Sequence, residues 1–126
     1  MPNPVGTVPL TGDLYQRSEP SVPLLVRRAI VDATLLGDNE VVAAVAGQRI
    51  RVISLFYFCA GTVTVRFESA AGGAPITGQM EHTAQTGAVL ARNVDGWLET
   101  AVGAALNLEL SAAISVDGCL NYVLVR

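Results

Sequence analysis

From Leu24 to the C-terminus the chain is a succession of short runs rich in Val, Ile, Leu and Thr, separated by Gly, Asp and Asn. The turn residues recur about every eight to twelve positions, which is typical of a sandwich or barrel of antiparallel strands. We therefore predict an all-β domain over residues 24–126 with about eight strands. The predicted strands are Leu24–Leu36, Glu40–Ala46, Gln48–Phe58, Thr62–Ser69, Pro75–Met80, Ala88–Asn93, Leu106–Ala112 and Leu120–Val125. The segment 96–100 is predicted to be either a further short strand or a turn of helix.

Two of these strands alternate cleanly between apolar and polar residues. Successive side chains of a strand point to opposite faces, so each of the two strands has one face in the core and one in water. The apolar residues on the predicted inner faces are Val63, Val65, Phe67, Leu106, Leu108 and Leu110.

The third strand is apolar on both faces. Strict alternation places Ile50, Val52, Phe56 and Phe58 on one face and Ile53, Leu55 and Tyr57 on the other. A two-layer sandwich buries only one face of each sheet, so the second apolar face indicates contact with another protein surface. Only 15% of the residues are charged, which also favours covered surface. We predict that Ile53, Leu55 and Tyr57 form an interface between subunits of an oligomer.

Turn chemistry favours two hairpins and, through them, a jelly-roll-like order of strands. Cys59-Ala60-Gly61 is predicted to join the third and fourth strands, and Val116-Asp117-Gly118-Cys119 the last two. Other antiparallel sandwiches with Greek-key connections fit the same pattern, so the strand order stays open.

Residues 1–23 differ from the rest because prolines interrupt them at short intervals. Proline fixes φ and lacks an N–H donor, so neither a helix nor a central strand is expected to run through this segment. We predict an extended N-terminal arm that is either a disordered terminus or ordered only against a neighbouring protein. The prolines are Pro2, Pro4, Pro9, Pro20 and Pro23.

Charge and hydropathy argue against several classes of partner. The net charge is −3 and the eight basic residues are scattered, whereas phosphate backbones are bound by basic patches. No apolar run approaches the roughly 20 residues that span a bilayer, and the start of the chain lacks the features of a signal peptide. We expect no nucleic-acid partner, no membrane segment and no export by a signal peptide.

The residue types that carry metal or catalytic chemistry are sparse. Cys59 and Cys119 are too far apart in sequence for a CxxC motif, and a lone His82 does not complete a zinc set with them. His82 is predicted to be an exposed loop residue, and both cysteines to be small, partly buried thiols. We expect no disulfide, no metal, no cofactor and no enzymatic activity.

Carboxylates offer the weakest of the functional hypotheses, a small hydrolase that uses a pair of acids. Such chemistry requires two carboxyl groups held in a cleft roughly 5 to 10 Å apart. No pair stands out in the sequence, and the acids are interpreted as solvated surface groups. The acids considered are Asp32, Asp38, Glu40, Asp95 and Glu99.

Trp97 is the most suggestive single residue. A lone indole beside Gly96 suits stacking on a sugar ring or anchoring an interface, although packing over the end of the sandwich is the preferred interpretation.

Several stretches of the chain resemble a recurrent module of small virion proteins of tailed phages. They are Val41–Val52, Gly61–Ser69, Pro75–Met80, Gly96–Ala101 and Leu106–Ala113. The resemblance covers residues 37–126 and rests on packing and turn elements. It implies a jelly-roll-like sandwich, often trimeric, that serves as a capsid decoration (cement) protein or as a module of a tail or fibre.

The resulting hypothesis is a virion structural protein on the head surface, assembled in the host cytoplasm. It binds the major capsid protein as a homotrimer and stabilises the shell. The arm residues predicted to contact the capsid are Pro4, Val5, Val8, Pro9, Leu10, Leu14 and Tyr15. The alternative is a receptor- or glycan-binding module of a tail or fibre, with Trp97 and the loops 70–74 and 81–87 as its binding tip.

Overall fold

A computed structural model describes residues 24–126, and this part of the chain forms ten β-strands and no helix. The all-β prediction is confirmed. No helix within these residues is long and apolar enough to cross a membrane. The strands are β1 (Arg27–Ala33), β2 (Gly37–Val42), β3 (Arg49–Cys59), β4 (Val63–Ser69), β5 (Ala74–Pro75), β6 (Met80–His82), β7 (Thr86–Leu90), β8 (Leu98–Glu99), β9 (Leu106–Leu110) and β10 (Val116–Val125).

The strands form two antiparallel sheets of five strands each. The first sheet has the order β1-β10-β3-β7, with β8 also paired to β3; the second has the order β2-β9-β4-β5, with β6 also paired to β4. The pairs are nested, because β1 pairs with β10, β2 with β9 and β3 with β7. This nesting is the strand order of a jelly roll, so the predicted jelly-roll-like sandwich is confirmed and its order is now defined.

The core lies between the inner faces of the two sheets. The alternation predicted for β4 and β9 is confirmed, because the apolar residues of both strands are buried. Tyr57 of the first sheet and Phe67 of the second pack edge to face with ring centroids 6.2 Å apart. This contact joins the two layers near the middle of the sandwich.

Strand β3 contains a β-bulge that changes the phase of its alternation. Asn121 of β10 lies opposite Ser54, but Tyr122 lies opposite Val52, so Ile53 is an extra residue in β3. A bulge of this kind lets two consecutive side chains point to the same face. The prediction assumed unbroken alternation, and it is wrong after this point.

Both predicted hairpins are also wrong. Residues 60–62 cross from the first sheet to the second, because β3 and β4 lie in different sheets. Asp117 and Gly118 lie inside β10 and not in a turn. The glycine is needed there for close packing, because a Cβ atom on Gly118 would lie 1.9 Å from the carbonyl oxygen of Phe56.

The remaining differences concern strand ends. The predicted first strand is shorter, the fifth is divided into β5 and β6, and the segment around Trp97 contributes the short strand β8. Each is a shift of a few residues that leaves the layer architecture unchanged.

Candidate functional site

An exposed row of apolar side chains crosses the outer face of the first sheet. The register places Ile30 opposite Cys119, Cys119 opposite Phe56, and Phe56 opposite Val89, so one residue of each of four neighbouring strands contributes. Ile30 is 74% exposed, Val89 70% and Phe56 45%. Phe58 extends the row, with its ring centroid 6.5 Å from that of Phe56. We call these five residues the apolar row.

Charged and polar residues flank the apolar row on both sides. On one side Arg28 and Asn121 lie opposite each other, and on the other side Asp32 lies opposite Asp117. Asn121 donates from Nδ2 to Ser54 Oγ over 3.0 Å. The acidic side therefore has two residues of like charge at directly opposite positions of neighbouring strands, an unfavourable cross-strand combination in general. The outer face therefore has a basic end, an apolar middle and an acidic end.

Two of the three residues predicted for the subunit interface face the core, and the third, Ile53, is buried within the outer face and does not belong to the apolar row. Leu55 and Tyr57 are 3% and 1% exposed and belong to the sandwich core, because the bulge turns them inward. Ile53 is 2% exposed and packs in a second small cluster with Val123 and Val125. Because of the bulge, Phe56 and Phe58 lie on the outer face in place of Leu55 and Tyr57.

Sequence reasoning missed Ile30 and Val89 as members of this face. In β1 the small or buried residues Ala29, Val31 and Ala33 alternate with Arg28, Ile30 and Asp32, and that alternation was a usable signal. Val89 gave no comparable signal, because the face of the sheet on which it lies depends on the register of β7 with β3.

The outer face of the second sheet is polar by contrast. Glu68 is 1% exposed, and Arg66 binds its Oε2 through both Nε and Nη2. Arg66 Nη2 also lies 3.0 Å from Glu109 Oε1, and the hydrogen bond to Glu68 is the main cause of a raised pKa of Arg66. Asn107 donates from Nδ2 to Glu68 Oε1 and Asp38 Oδ1, each over 3.0 Å.

This network was not predicted from the sequence. Carboxylate oxygens of Asp38, Glu68 and Glu109 lie within 4.8 Å of one another, and the guanidinium of Arg66 pairs with two of these acids. The alternation in β4 and β9 indicated a wet face, but Glu68 and Asn107 are both buried. The network links β2, β9 and β4 and gives the second sheet a charged surface.

Trp97 lies near the surface and not in the core, which corrects the packing prediction. Its side chain is 46% exposed, and the indole Nε1 donates to the carbonyl of Ala91 over 2.7 Å. The neighbouring Leu98 is 8% exposed and takes the core position. The indole is thus held in one orientation with part of its ring in water.

The predicted binding tip is divided between two ends of the sandwich. Trp97 is held by a hydrogen bond of its backbone N–H to the carbonyl of Val52, whereas Gln85 of the loop 81–87 donates to the carbonyl of Cys59. These carbonyls are about 20 Å apart along β3, given about 3.3 Å per residue. The loop 70–74 lies toward the Trp97 end, since the adjoining Ser69 accepts a 2.8 Å hydrogen bond from Ala101.

His82 is a partly buried strand residue and not an exposed loop residue. It ends β6, and its Nε2 lies 2.9 Å from the hydroxyl of Tyr57. Burial, with a smaller contribution from Cys59, raises the pKa of Tyr57 to about 12. Burial likewise raises the pKa of the Cys59 thiol. Neither Cys59 nor Cys119 forms a disulfide within the described residues. A Tyr–His pair with both rings packed against the core fixes the end of β6.

The predicted arm contacts lie outside the described residues 24–126. Comparison of the chain with protein-family models, curated proteins and solved structures gives no match. The arrangement of the described residues is therefore the basis for a functional conclusion. Its main feature is a sandwich with one apolar and one charged outer face, which suits binding of a flat protein surface on one side only.

Proposed function

We propose that the protein is a virion structural protein of the capsid decoration (cement) type, which attaches to a protein shell and stabilises it. The observation that carries the proposal is the apolar row on the outer face of the first sheet. Large exposed apolar patches mark surfaces that bind other proteins. The jelly-roll order and the resemblance to small phage virion proteins agree with this assignment.

The energetics of the apolar row suit attachment in many copies. Complete burial of a Val, Ile or Phe side chain contributes about 1.5–3 kcal/mol, and association itself costs several kcal/mol. One row therefore supports a weak contact. A protein presented many times on a symmetric lattice, or carrying a second contact on the same chain, binds far more tightly through its raised effective concentration.

The proposed assembly follows from these free energies of burial and association. The partner is the major capsid protein, the protein is oligomeric with the homotrimer as the prediction from sequence, and the location is the outside of the head. The apolar residues of the arm supply the second contact, along neighbouring shell subunits. The charged face of the second sheet points to solvent, where its charges need no desolvation.

Particle composition tests this proposal. Virions assembled from the genome that encodes the chain are purified, and the copy number of the chain is measured against the major capsid protein by quantitative mass spectrometry. A decoration protein is expected at hundreds of copies per particle, and particles without it are expected to lose DNA at lower temperature. Absence of the chain from particles contradicts the proposal.

A receptor- or glycan-binding module of a tail or fibre is the second candidate, favoured by the half-exposed and oriented ring of Trp97. Such a ring is a platform for stacking on a sugar. Tens of copies per particle, with quenching of Trp97 fluorescence by a glycan and loss of binding in Trp97→Ala, would favour this candidate. Unchanged fluorescence across a glycan panel and hundreds of copies would exclude it.

A further inference from the structure

We propose that the outer face of the first sheet binds the same face of a second copy of this chain, around a two-fold axis that runs along the apolar row. The proposal goes beyond the function proposed above and gives this face a partner that competes with the shell, because a row covered by a second copy does not bind capsid protein at the same time. Copies that pair through the row are held on the shell by the arm. The pairing is two-fold, whatever other contact forms a trimer, since a face-to-face contact of identical surfaces is isologous.

The geometry of the rotation follows from the strand register of the face. The two-fold axis lies in the plane of the interface and runs along the apolar row, across the strands. Rotation about this axis places each strand over the same strand of the other copy, with the two ends of the strand exchanged. Ile30 then meets Ile30, Phe56 meets Phe56 and Val89 meets Val89. The three side chains lie in register across four strands, so they meet together. Face-to-face sheets of this kind pack about 10 Å apart.

The same rotation pairs opposite charges. Arg28 and Asp32 lie on β1, two residues to either side of Ile30, so Arg28 of one copy lies over Asp32 of the other. Asn121 and Asp117 have the same relation on β10, with Cys119 between them. The amide of Asn121 therefore meets the carboxylate of Asp117 in the other copy. The acidic end of each face is matched by the basic, donor-bearing end of its partner.

The described residues of one chain give these charges no protein partner. Within residues 24–126, Arg28, Asp32 and Asp117 form no ion pair and no side-chain hydrogen bond, and all three are exposed. Asp32 and Asp117 are also directly opposite neighbours of like charge. A second copy gives both acids a partner and covers the apolar row at once. An uncharged partner would cover the row and leave both acids without one.

The size of the face sets the expected affinity. Four strands about 4.8 Å apart and three rows of side chains about 6.6 Å apart cover roughly 400 Å² per copy in projection. The total is at the low end for specific interfaces, where contacts are weak and transient. We expect a dissociation constant on the order of 10–100 μM, which is weak in solution and sufficient on a crowded particle surface.

Charge reversal in the full-length chain tests the pairing. Arg28→Asp places a carboxylate over Asp32 of the other copy, and Asp32→Arg places a guanidinium over Arg28, so each single variant is expected to dimerise at least tenfold more weakly than the wild type. A mixture of the two variants restores both opposite-charge pairs and is expected to form a heterodimer. The double variant R28D/D32R is expected to dimerise like the wild type. Sedimentation equilibrium from about 1 to 500 μM at low salt, where charge screening is small, measures all four.

Two control variants carry the same charge changes elsewhere. Arg92→Asp lies in the loop after β7, and Glu40→Arg lies on the second sheet; both side chains are exposed, and dimerisation is expected to be unchanged. Circular dichroism verifies that every variant is folded. A wild type that stays monomeric at 500 μM overturns the inference, as does an oligomer insensitive to R28D and D32R. Neither result affects the particle-composition test, so the two proposals can fail separately.

Discussion

Tyr57 connects the core to the partly buried His82. Its ring is 1% exposed against Phe67, while its hydroxyl lies 2.9 Å from His82 Nε2. A buried phenol remains neutral to higher pH than a free one because ionisation would place a charge in a poorly solvated site. The pKa of Tyr57 is accordingly raised from its usual 10.0 to about 12.

This raised pKa predicts an alkaline loss of stability. Between pH 10 and pH 12 the unfolded chain has released the phenolic proton and the folded chain has kept it, so the unfolded state binds fewer protons. The contribution of Tyr57 is complete below pH 10 and is lost as pH rises through 12, by about 3 kcal/mol in all. Urea unfolding of the wild type and Tyr57→Phe at pH 8, 10 and 11.5 measures it.

Tyr57→Phe is expected to be about 1 kcal/mol less stable than the wild type at pH 8, because His82 loses its partner. The difference should shrink above pH 10 and reverse, since phenylalanine does not ionise. An equal alkaline loss in wild type and Tyr57→Phe would disprove the assignment.

At the scale of single elements, the network on the second sheet holds β4 to its neighbours. Glu68 is buried, and Arg66 and Asn107 satisfy its two oxygens. Removing one partner of a buried ion pair leaves an uncompensated charge, whereas replacing the pair by apolar residues is often nearly neutral.

Arg66→Met is therefore expected to destabilise the protein, because it leaves the buried Glu68 carboxylate without its counter-ion, and R66M/E68L to recover at least half of that loss. Thermal and urea unfolding measure both. Arg92→Met, an exposed control, should change stability by less than about 0.5 kcal/mol. A shift that small for Arg66→Met would mean that Asn107 alone satisfies Glu68.

The bulge in β3 yields a second prediction at this scale. Deleting Ile53 leaves Val52, Ser54 and Leu55 in unbroken register with β10, so Leu55 and Tyr57 still face the core. The deletion variant is expected to fold, with about 2–4 kcal/mol lost through the missing buried side chain. Deleting Arg66 from β4, whose pairing with β9 has no shift, is expected to abolish folding. Heteronuclear NMR spectra distinguish the two variants.

The contrast between strands explains what sequence could predict. Alternation in β4 and β9 is local, so their inner faces were predicted correctly from a few residues. The bulge in β3 exists only relative to β10, and the role of Gly118 only relative to the backbone of Phe56. Prediction of the apolar row required knowledge of the bulge and of the Gly118 contact. Without it, Phe56 and Phe58 were assigned to the core, and Leu55 and Tyr57 to the surface.

At the scale of the whole molecule, nested pairing makes folding cooperative. β1 and β10 lie near opposite ends of the described chain, and every strand of the first sheet other than β1 pairs with β3. Contacts so distant in sequence form late and together. Fold class was predictable because composition and spacing determine it, whereas the difference between the two outer faces depends on this long-range pairing.

The two cysteines report on this cooperativity. Cys59 is 1% exposed in the core, and Cys119 is partly exposed in the apolar row. In native protein we expect a thiol reagent to modify Cys119 within minutes, and Cys59 only at the rate and free energy of global unfolding. The variants C59A and C119A assign each phase. Modification of Cys59 without loss of the circular dichroism signal would show that the first sheet opens locally.

The register of β1 and β10 also determines where the described residues 24–126 begin and end. Arg27 lies opposite Tyr122, so Leu24 and Arg126 emerge at the same pole of the sandwich. A short linker between them would close the described chain into a ring of strands, which could be opened instead at residues 43–48 between β2 and β3. In such a permuted protein the order of synthesis changes and every strand keeps its neighbours.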